Sequence, residues 1–338
     1  MKSGKVSESV LKRSVLRPLL GAGAVFAAGS RSAGGFPGED CQLWQSAGPQ
    51  TGITSVCGTL GGCYDRDMEM FLNSIVNNLA AGGVQAEAVS MNIMLPAGTE
   101  ESRLGEYARQ AGAACAARRL KIAGGHTEAG SVLESPVISI TGFGSKIAER
   151  KQLRPSCDLV MAGWIGMAGT VILAQNREEE LLKRYPFSLV DGAKGIREHL
   201  MIVKAAEIGN AAGVTAMHDV SSGGIFGALW EMTEAAGVGM EADLKKLPVR
   251  QETIEISDFF GINPYQLYGQ GALLFGTEEG GALVLALQAA GIPAAVIGRT
   301  TAGNDRILRN GEEQRFLERP QQDALWKLAD AETGTCGN

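Results

Sequence analysis

The sequence predicts a two-domain α/β (α+β) protein, and three observations carry this. The chain has 338 residues, more than a single hydrophobic core usually organises. Between residues 53 and 141, apolar stretches with strand period alternate with stretches of helical period over short connections. Near Arg154-Pro155 a similar pattern starts again, which sets domains at 1–153 and 154–330 and leaves 331–338 as a loose polar tail. Glycine supports the reading. Its 46 residues are roughly twice the usual share and follow no collagen-like period, so they mark many tight turns.

The elements follow in order. Basic residues (Lys2, Lys5, Lys12, Arg13, Arg17) precede an apolar stretch at Leu19–Ala28, which superficially matches a secretory signal. Val6, Val10, Leu11, Val15 and Leu19 instead fit a helical face ended near Pro18. Glu39 and Asp40 then sit side by side in a glycine loop, as a metal or cationic-group site or as a solvated acidic turn. Ile53–Val56 is a strand, followed by the glycine-rich 57–62. Asp67 caps a helix whose apolar face is Met68, Leu72, Ile75, Val76 and Leu79, with Asn77 and Asn78 near its end at Gly82-Gly83. Val89–Leu95 alternates as a strand stopped by Pro96, and a second helix spans about 100–119. Leu120–Ala123 is a short strand, with Gly124-Gly125-His126-Thr127-Glu128 as its turn, and Pro136–Thr141 is another strand. That order gives a split βαβ sheet with one face covered by two helices.

In the second domain Asp158–Ala162 is strand-like and Gly195–Ala212 is a helix. The most informative stretch is Val214–Met240, which reads as strand, turn and helix. His218 and Asp219 stand where the strand ends, a titratable pair. Ser221-Ser222-Gly223-Gly224 make the turn, with Ser221 or Ser222 as the helix N-cap. Ile225, Leu229, Met232 and Ala236 form the helix's apolar stripe. Two glycines before a helix N-terminus admit an anion such as phosphate close to the backbone, although a plain glycine turn between core elements has the same appearance. Ala272–Gly276, Glu278–Ala290 and Ala294–Ile297 continue as strand, helix, strand. A hairpin at 307–314 turns at Asn310-Gly311.

Composition narrows the function. A net charge of −6 argues against a nucleic-acid backbone as partner. Six scattered cysteines without a CxxC, and only three histidines, argue against structural zinc and for a reduced, cytoplasmic protein. No uninterrupted apolar run reaches membrane-spanning length.

Several motifs, read in order, resemble the aminoimidazole-ribonucleotide synthetase superfamily, which has the PurM-like fold. They are Gly38-Glu39-Asp40, Val76-Asn77-Asn78-Leu79-Ala80-Ala81-Gly82-Gly83, Ile122–Glu128, Asp158–Thr170, Met217–Gly224 and the closing segment from Gly291-Ile292-Pro293. Within the superfamily the chain is most similar to synthetase-related proteins akin to the carbamoyl-dehydrating hydrogenase maturation factor. The resemblance implies a homodimer whose N-terminal sheets pair into a barrel, with Mg-ATP in the cleft between the domains. It implies an ATP-dependent enzyme that phosphorylates an amide- or carbamoyl-type oxygen of a small amide or a carbamoylated thiol, with a hydrogenase maturation protein as partner. It assigns His218 and Asp219 to catalysis, and Glu39, Asp40 and Glu128 to the metal. Nucleotide contacts fall on Glu39, Asp40, Asn77, Asn78, Gly124, Gly125, His126, Thr127, Gly223 and Gly224.

The chain departs from the pattern where it matters for a cation. Asn78 and His126 stand where the superfamily usually places acids, and Mg²⁺ prefers carboxylate and phosphate oxygens. A non-catalytic nucleotide-binding or scaffold homodimer is therefore the competing expectation. Cys336, close to the C-terminus, invites comparison with the maturation factor's own terminal cysteine.

Overall fold

The computed structural model describes residues 13–14, 42–44, 50–149, 152–319 and 322–335. The apolar N-terminal stretch, Glu39, Asp40 and Cys336 lie outside the described residues. The first domain runs β1 (Gln42–Trp44), β2 (Thr51–Thr59), α1 (Met68–Ala81), β3 (Val84–Pro96), α2 (Glu101–Ala117), β4 (Lys121–Gly130) and β5 (Val137–Lys146). Its sheet has the order β1-β2-β5-β3-β4. β3 and β4 are parallel neighbours joined through α2, the expected βαβ unit, and the other pairs are antiparallel.

Alternation decides the two faces of this sheet. Met91, Ile93, Leu95, Ile138 and Ile140 are buried with Phe71, Leu72, Ile75 and Leu79 of α1. Asp67 caps α1 as expected, accepting the Met70 N–H at 2.9 Å. The opposite face is open and mixes polar with apolar side chains. Register aligns Cys57, Ser139, Asn92 and His126 across four strands, and Thr59, Val137, Met94 and Glu128 in the next row.

One element differs from expectation. Gly124–Glu128 is not a turn but the middle of β4, which is exposed along nearly its whole length. Gly125 is there for strand pairing: near a register shift beside Val89 and Ser90, a Cβ on it would lie 1.9 Å from the Met91 carbonyl oxygen.

The second domain comprises β6 (Asp158–Ala162), α3 (Met167–Asn176), α4 (Glu178–Leu181), α5 (Phe187–Gly195), α6 (Val203–Ala211), β7 (Ala216–Val220), α7 (Gly224–Ala236), β8 (Gly239–Asp243), α8 (Gln251–Phe259), β9 (Ala272–Thr277), α9 (Gly280–Ala289), β10 (Ala294–Thr301), β11 (Arg306–Asn310), β12 (Glu313–Phe316) and α10 (Ala324–Thr335). Its seven strands take the order β12-β11-β8-β10-β6-β9-β7. The apolar run of β6 is covered on both faces. Leu159 and Met161 pack into one core and Val160 and Ala162 into another. The single helix expected over 195–212 is broken, because a 3₁₀ turn at Ile196–His199 separates α5 from α6. The tail expected to be loose from 331 continues α10 to Thr335.

Candidate functional site at the domain junction

His218 and Asp219 are adjacent in sequence but face opposite ways, because both lie within β7 rather than beyond its end. Side chains of successive strand residues point to opposite faces. His218 turns toward α7, where its Nε2 lies 3.6 Å from a Glu231 carboxylate oxygen. Its Nδ1 is 2.7 Å from the Asp219 carbonyl oxygen, which only accepts, so Nδ1 carries the proton. Asp219 turns the other way, toward α1 of the first domain. The Asn78 amide, oriented so that both its ends are satisfied, donates to Asp219 Oδ2 at 3.2 Å and to the Ser74 carbonyl oxygen at 2.8 Å. It accepts from the Thr54 hydroxyl at 3.1 Å. The expected titratable pair is thus split, and the contact that replaces it, Asp219 with Asn78, joins two separate motifs across the domain junction.

Asn77 has a different task. It is fully buried, donates to the Leu200 carbonyl oxygen at 2.9 Å and accepts the Ile202 N–H at 3.1 Å. Both ends of its amide are consumed in holding the second domain, so the structure gives it to the junction rather than to a ligand. A polar cluster that sequence reasoning missed lies alongside. Arg66 donates to the Tyr268 hydroxyl at 3.3 Å and to the Cys57 carbonyl oxygen at 3.0 Å, over the Phe71 ring at 4.1 Å. Gln270 Nε2 donates to the Met70 carbonyl oxygen and to Ser74 Oγ, at 2.8 and 3.0 Å. Gln270 Oε1 is buried and has no hydrogen-bond partner among the described residues. A glutamine between two glycines ahead of an apolar strand was the available signal.

The glycine turn also differs from expectation. Gly223 and Gly224 are both left-handed, with φ of +83° and +60°, and Gly223 rather than a serine is the N-cap of α7. Gly223 has no side chain to cap with, so the acceptor comes from elsewhere. Its N–H donates to Asp323 Oδ2 at 2.6 Å. The position expected for a phosphate oxygen is filled by the chain's own carboxylate. Gly224 faces protein, since a Cβ there would lie 2.5 Å from the Tyr265 carbonyl oxygen and 2.7 Å from that of Leu267.

His126 and Glu128 stand on the open face of the first sheet, while Asn78 reaches Thr54 on the helix-covered face, so one protomer does not bring them together. His126 Nε2 lies 3.3 Å from Glu128 Oε2, but the side chains are 69% and 62% exposed, so this pair contributes little to stability. Gly124 shares their face, and Gly125 and Thr127 take the opposite one. Among the described residues no group of three or more His, Cys, Asp or Glu side chains is placed to hold a metal ion. Glu128 and Asp219 therefore do not form a joint metal site within one copy. No helix among the described residues is long and apolar enough to cross a membrane.

Two outcomes follow from the turn. Gly224→Val should destabilise the fold by about 2 kcal/mol or more, because the new side chain meets backbone that cannot swing aside; chemical unfolding measures this. The second concerns pH. Burial pushes the Asp323 carboxyl up to about 7, against the lowering effects of the Gly223, Leu325 and Tyr268 N–H groups and of Arg66. Above the ordinary carboxylate range the folded state keeps a proton that the unfolded state has lost. The stability that this group contributes is therefore full at low pH and is lost as pH rises through about 7. Melting temperatures followed from ~pH 5 to ~pH 8 should fall less steeply in Asp323→Asn than in the wild type.

Comparison with known proteins agrees with the motif order. The AIR synthase related protein N-terminal domain matches residues 69–145, and the corresponding C-terminal domain matches 154–309. The carbamoyl dehydratase HypE of Rhodobacter capsulatus is 27% identical over 278 residues, covering 79% of this chain and 72% of that protein. The structure of the hydrogenase maturation protein HypE in complex with ATP superimposes with a TM-score of 0.68 at 18% identity, covering 96% of this chain and 97% of that one. HypE in its complex with HypF gives 0.68 at 17% identity, over 84% and 94%. The paired domains, the junction between them and these relatives place the chain in the AIR synthase related family, with the two-domain PurM-like fold.

Proposed function

We propose that the chain is an ATP-dependent enzyme of the hydrogenase maturation type, which activates an amide- or carbamoyl-type oxygen by phosphoryl transfer. The observation that carries this is the Asp219–Asn78 contact, which brings two family motifs together between the domains. The likeness to a carbamoyl dehydratase and to an ATP complex supports it. The substrate class is a small amide or a carbamoylated thiol. By analogy with the HypE–HypF complex, a second maturation protein is the natural partner.

The chemistry is that of a poor leaving group made good. The substrate oxygen bonds to the γ-phosphorus of ATP as the bond to the β-phosphate oxygen breaks and ADP departs. The activated oxygen then leaves as phosphate, with the net loss of water from the carbamoyl group. A hard carboxylate oxygen on Asp219 suits Mg²⁺, which needs only one or two carboxylates when phosphates complete its shell. Mg²⁺, when bound, screens the triphosphate and orients its terminal phosphoryl group. Asp219 would supply one such carboxylate, Glu39 and Asp40 are the further acids that the motif order offers, and Asn78 orients the Asp219 carboxylate by donating to it. Arg66 offers a guanidinium to a polar substrate at the same junction.

The competing reading, a scaffold that has lost its metal, is favoured by one observation: Asn78 is an amide where a carboxylate is usual. Calorimetric titration with ATP separates the two. Binding should weaken at least about tenfold with EDTA and in Asp219→Ala and Asp40→Ala, and Asn78→Asp should increase the dependence on Mg²⁺. Unchanged ATP binding in both alanine variants and in EDTA makes the chain a scaffold.

The open face of the first sheet and its exposed edge strand β4 are the surface we assign to a second copy of the chain. Light scattering should give twice the monomer mass at micromolar concentration, and a stable monomer rejects the assignment.

A further inference from the structure

We infer that Asp323, on the C-terminal helix, is a positioning residue for Asp219. This rests on the nucleotide reading above and adds to it an element that none of the family motifs contains. The carboxylate is 3% exposed. Oδ2 accepts the Gly223 N–H at 2.6 Å, and Oδ1 accepts the Leu325 N–H at 2.9 Å. One side chain therefore caps two helices, α7 and its own α10, by accepting a free N–H at the N-terminal end of each. The α7 cap cannot be local, because Gly223 supplies no side chain.

The turn that follows Asp219 has little slack. The Ser221 carbonyl oxygen accepts from Gly224 N–H and Gly269 N–H, both at 3.1 Å. Val220 is packed tightly beneath Gly269, where a Cβ would come within 2.6 Å of its side chain. With Ser221 held by these bonds and Gly223 by Asp323, the end of β7 is fixed, and so is the face that Asp219 presents to Asn78. The helix carrying Asp323 is itself anchored across the junction. Trp326 packs edge-on against Tyr268 at 5.7 Å, and Glu332 bonds Arg177 at 2.9 Å and the Tyr64 hydroxyl. Tyr268 in turn meets Arg66 and Ser74 of the first domain. The C-terminal helix is thus a brace whose near end holds the turn.

A helix cap that does nothing more would change stability alone. A positioning residue acts through Asp219, and on the nucleotide reading Asp219 would hold the metal, so the two roles separate by metal dependence. ATP titrations with Mg²⁺ and with EDTA, in wild type, Asp323→Ala and Asp323→Asn, read this directly. Asp323→Ala should lose roughly tenfold in affinity for Mg-ATP and keep its affinity for metal-free ATP, with Asp323→Asn, which retains one acceptor oxygen, falling between. If either folded variant binds Mg-ATP like wild type, whatever its melting temperature, Asp323 is a cap only and the inference is wrong. If Asp323→Ala does not fold, Asp323→Asn carries the same test. Wild type that binds no ATP rejects the nucleotide reading instead. The inference is then judged by hydrogen exchange, which must speed up at 219–224 in the variants relative to 137–146, and unchanged exchange at 219–224 overturns it.

Discussion

The site depends on one buried amide. Asn77 accepts from one backbone group and donates to another on either side of Met201, so the end of α1 is fixed to the segment that leads into α6. A buried side chain with both amide ends bonded tolerates neither loss of a partner nor a shift in register, since either leaves a polar group unpaired away from water. Because Asn77 is locked, its neighbour Asn78 has a set direction, toward β7 of the second domain. The Asp219 contact follows from that. Arg197 reinforces the same seam from outside, bonding Asp67 and Glu69 at the start of α1, while Arg118 holds Glu69 from within the first domain. One helix therefore carries the seam along its length: acids at its N-terminal end, Ser74 in the middle and the two asparagines near its C-terminal end.

Much of the fold was legible because it rests on local rules. The cap at Asp67, the alternation in β3, the apolar run after Asp158 in β6 and the hairpin at Asn310-Gly311 each depend on residues within a few positions of one another. The site was less legible, for two distinct reasons. Some features were present in the sequence but outweighed by a stronger local cue. The paired glycines at 124–125 read as a turn because glycine usually marks one, whereas here Gly125 allows β3 and β4 to approach. His218 and Asp219 read as a pair because they are adjacent, whereas strand period separates them. Other features depend on distant pairing and leave no local trace. Asp323 lies a hundred positions from Gly223, and Gln270 reaches Met70 and Ser74 only once the domains have met.

The glycine turn shows how a shared motif can be used differently. Two left-handed glycines before a helix produce outward N–H groups whatever their purpose, and those groups need an acceptor. A phosphate is one solution and a carboxylate from the same chain is another. With Asp323 in place the turn is satisfied and rigid without a ligand. On the inference drawn above, its contribution to the site comes from fixing Asp219 ahead of it.

The same logic bears on Asn78. A carboxylate at this position would lie about 3 Å from Asp219, and two like charges that close, with limited solvent, require either a shared proton or a cation. An amide removes that requirement, because its N–H groups donate to Asp219 and its oxygen accepts from Thr54. The junction is therefore complete before any metal arrives, which a pair of acids would not allow. On the reading proposed above, charge for a cation would come from Asp219 and from acids outside the pair, with Glu39 and Asp40 the ones the motif order supplies. The junction itself is assembled by its own hydrogen bonds. Such a junction holds its shape when empty, so on the nucleotide reading proposed above Mg-ATP would not have to draw the two domains together.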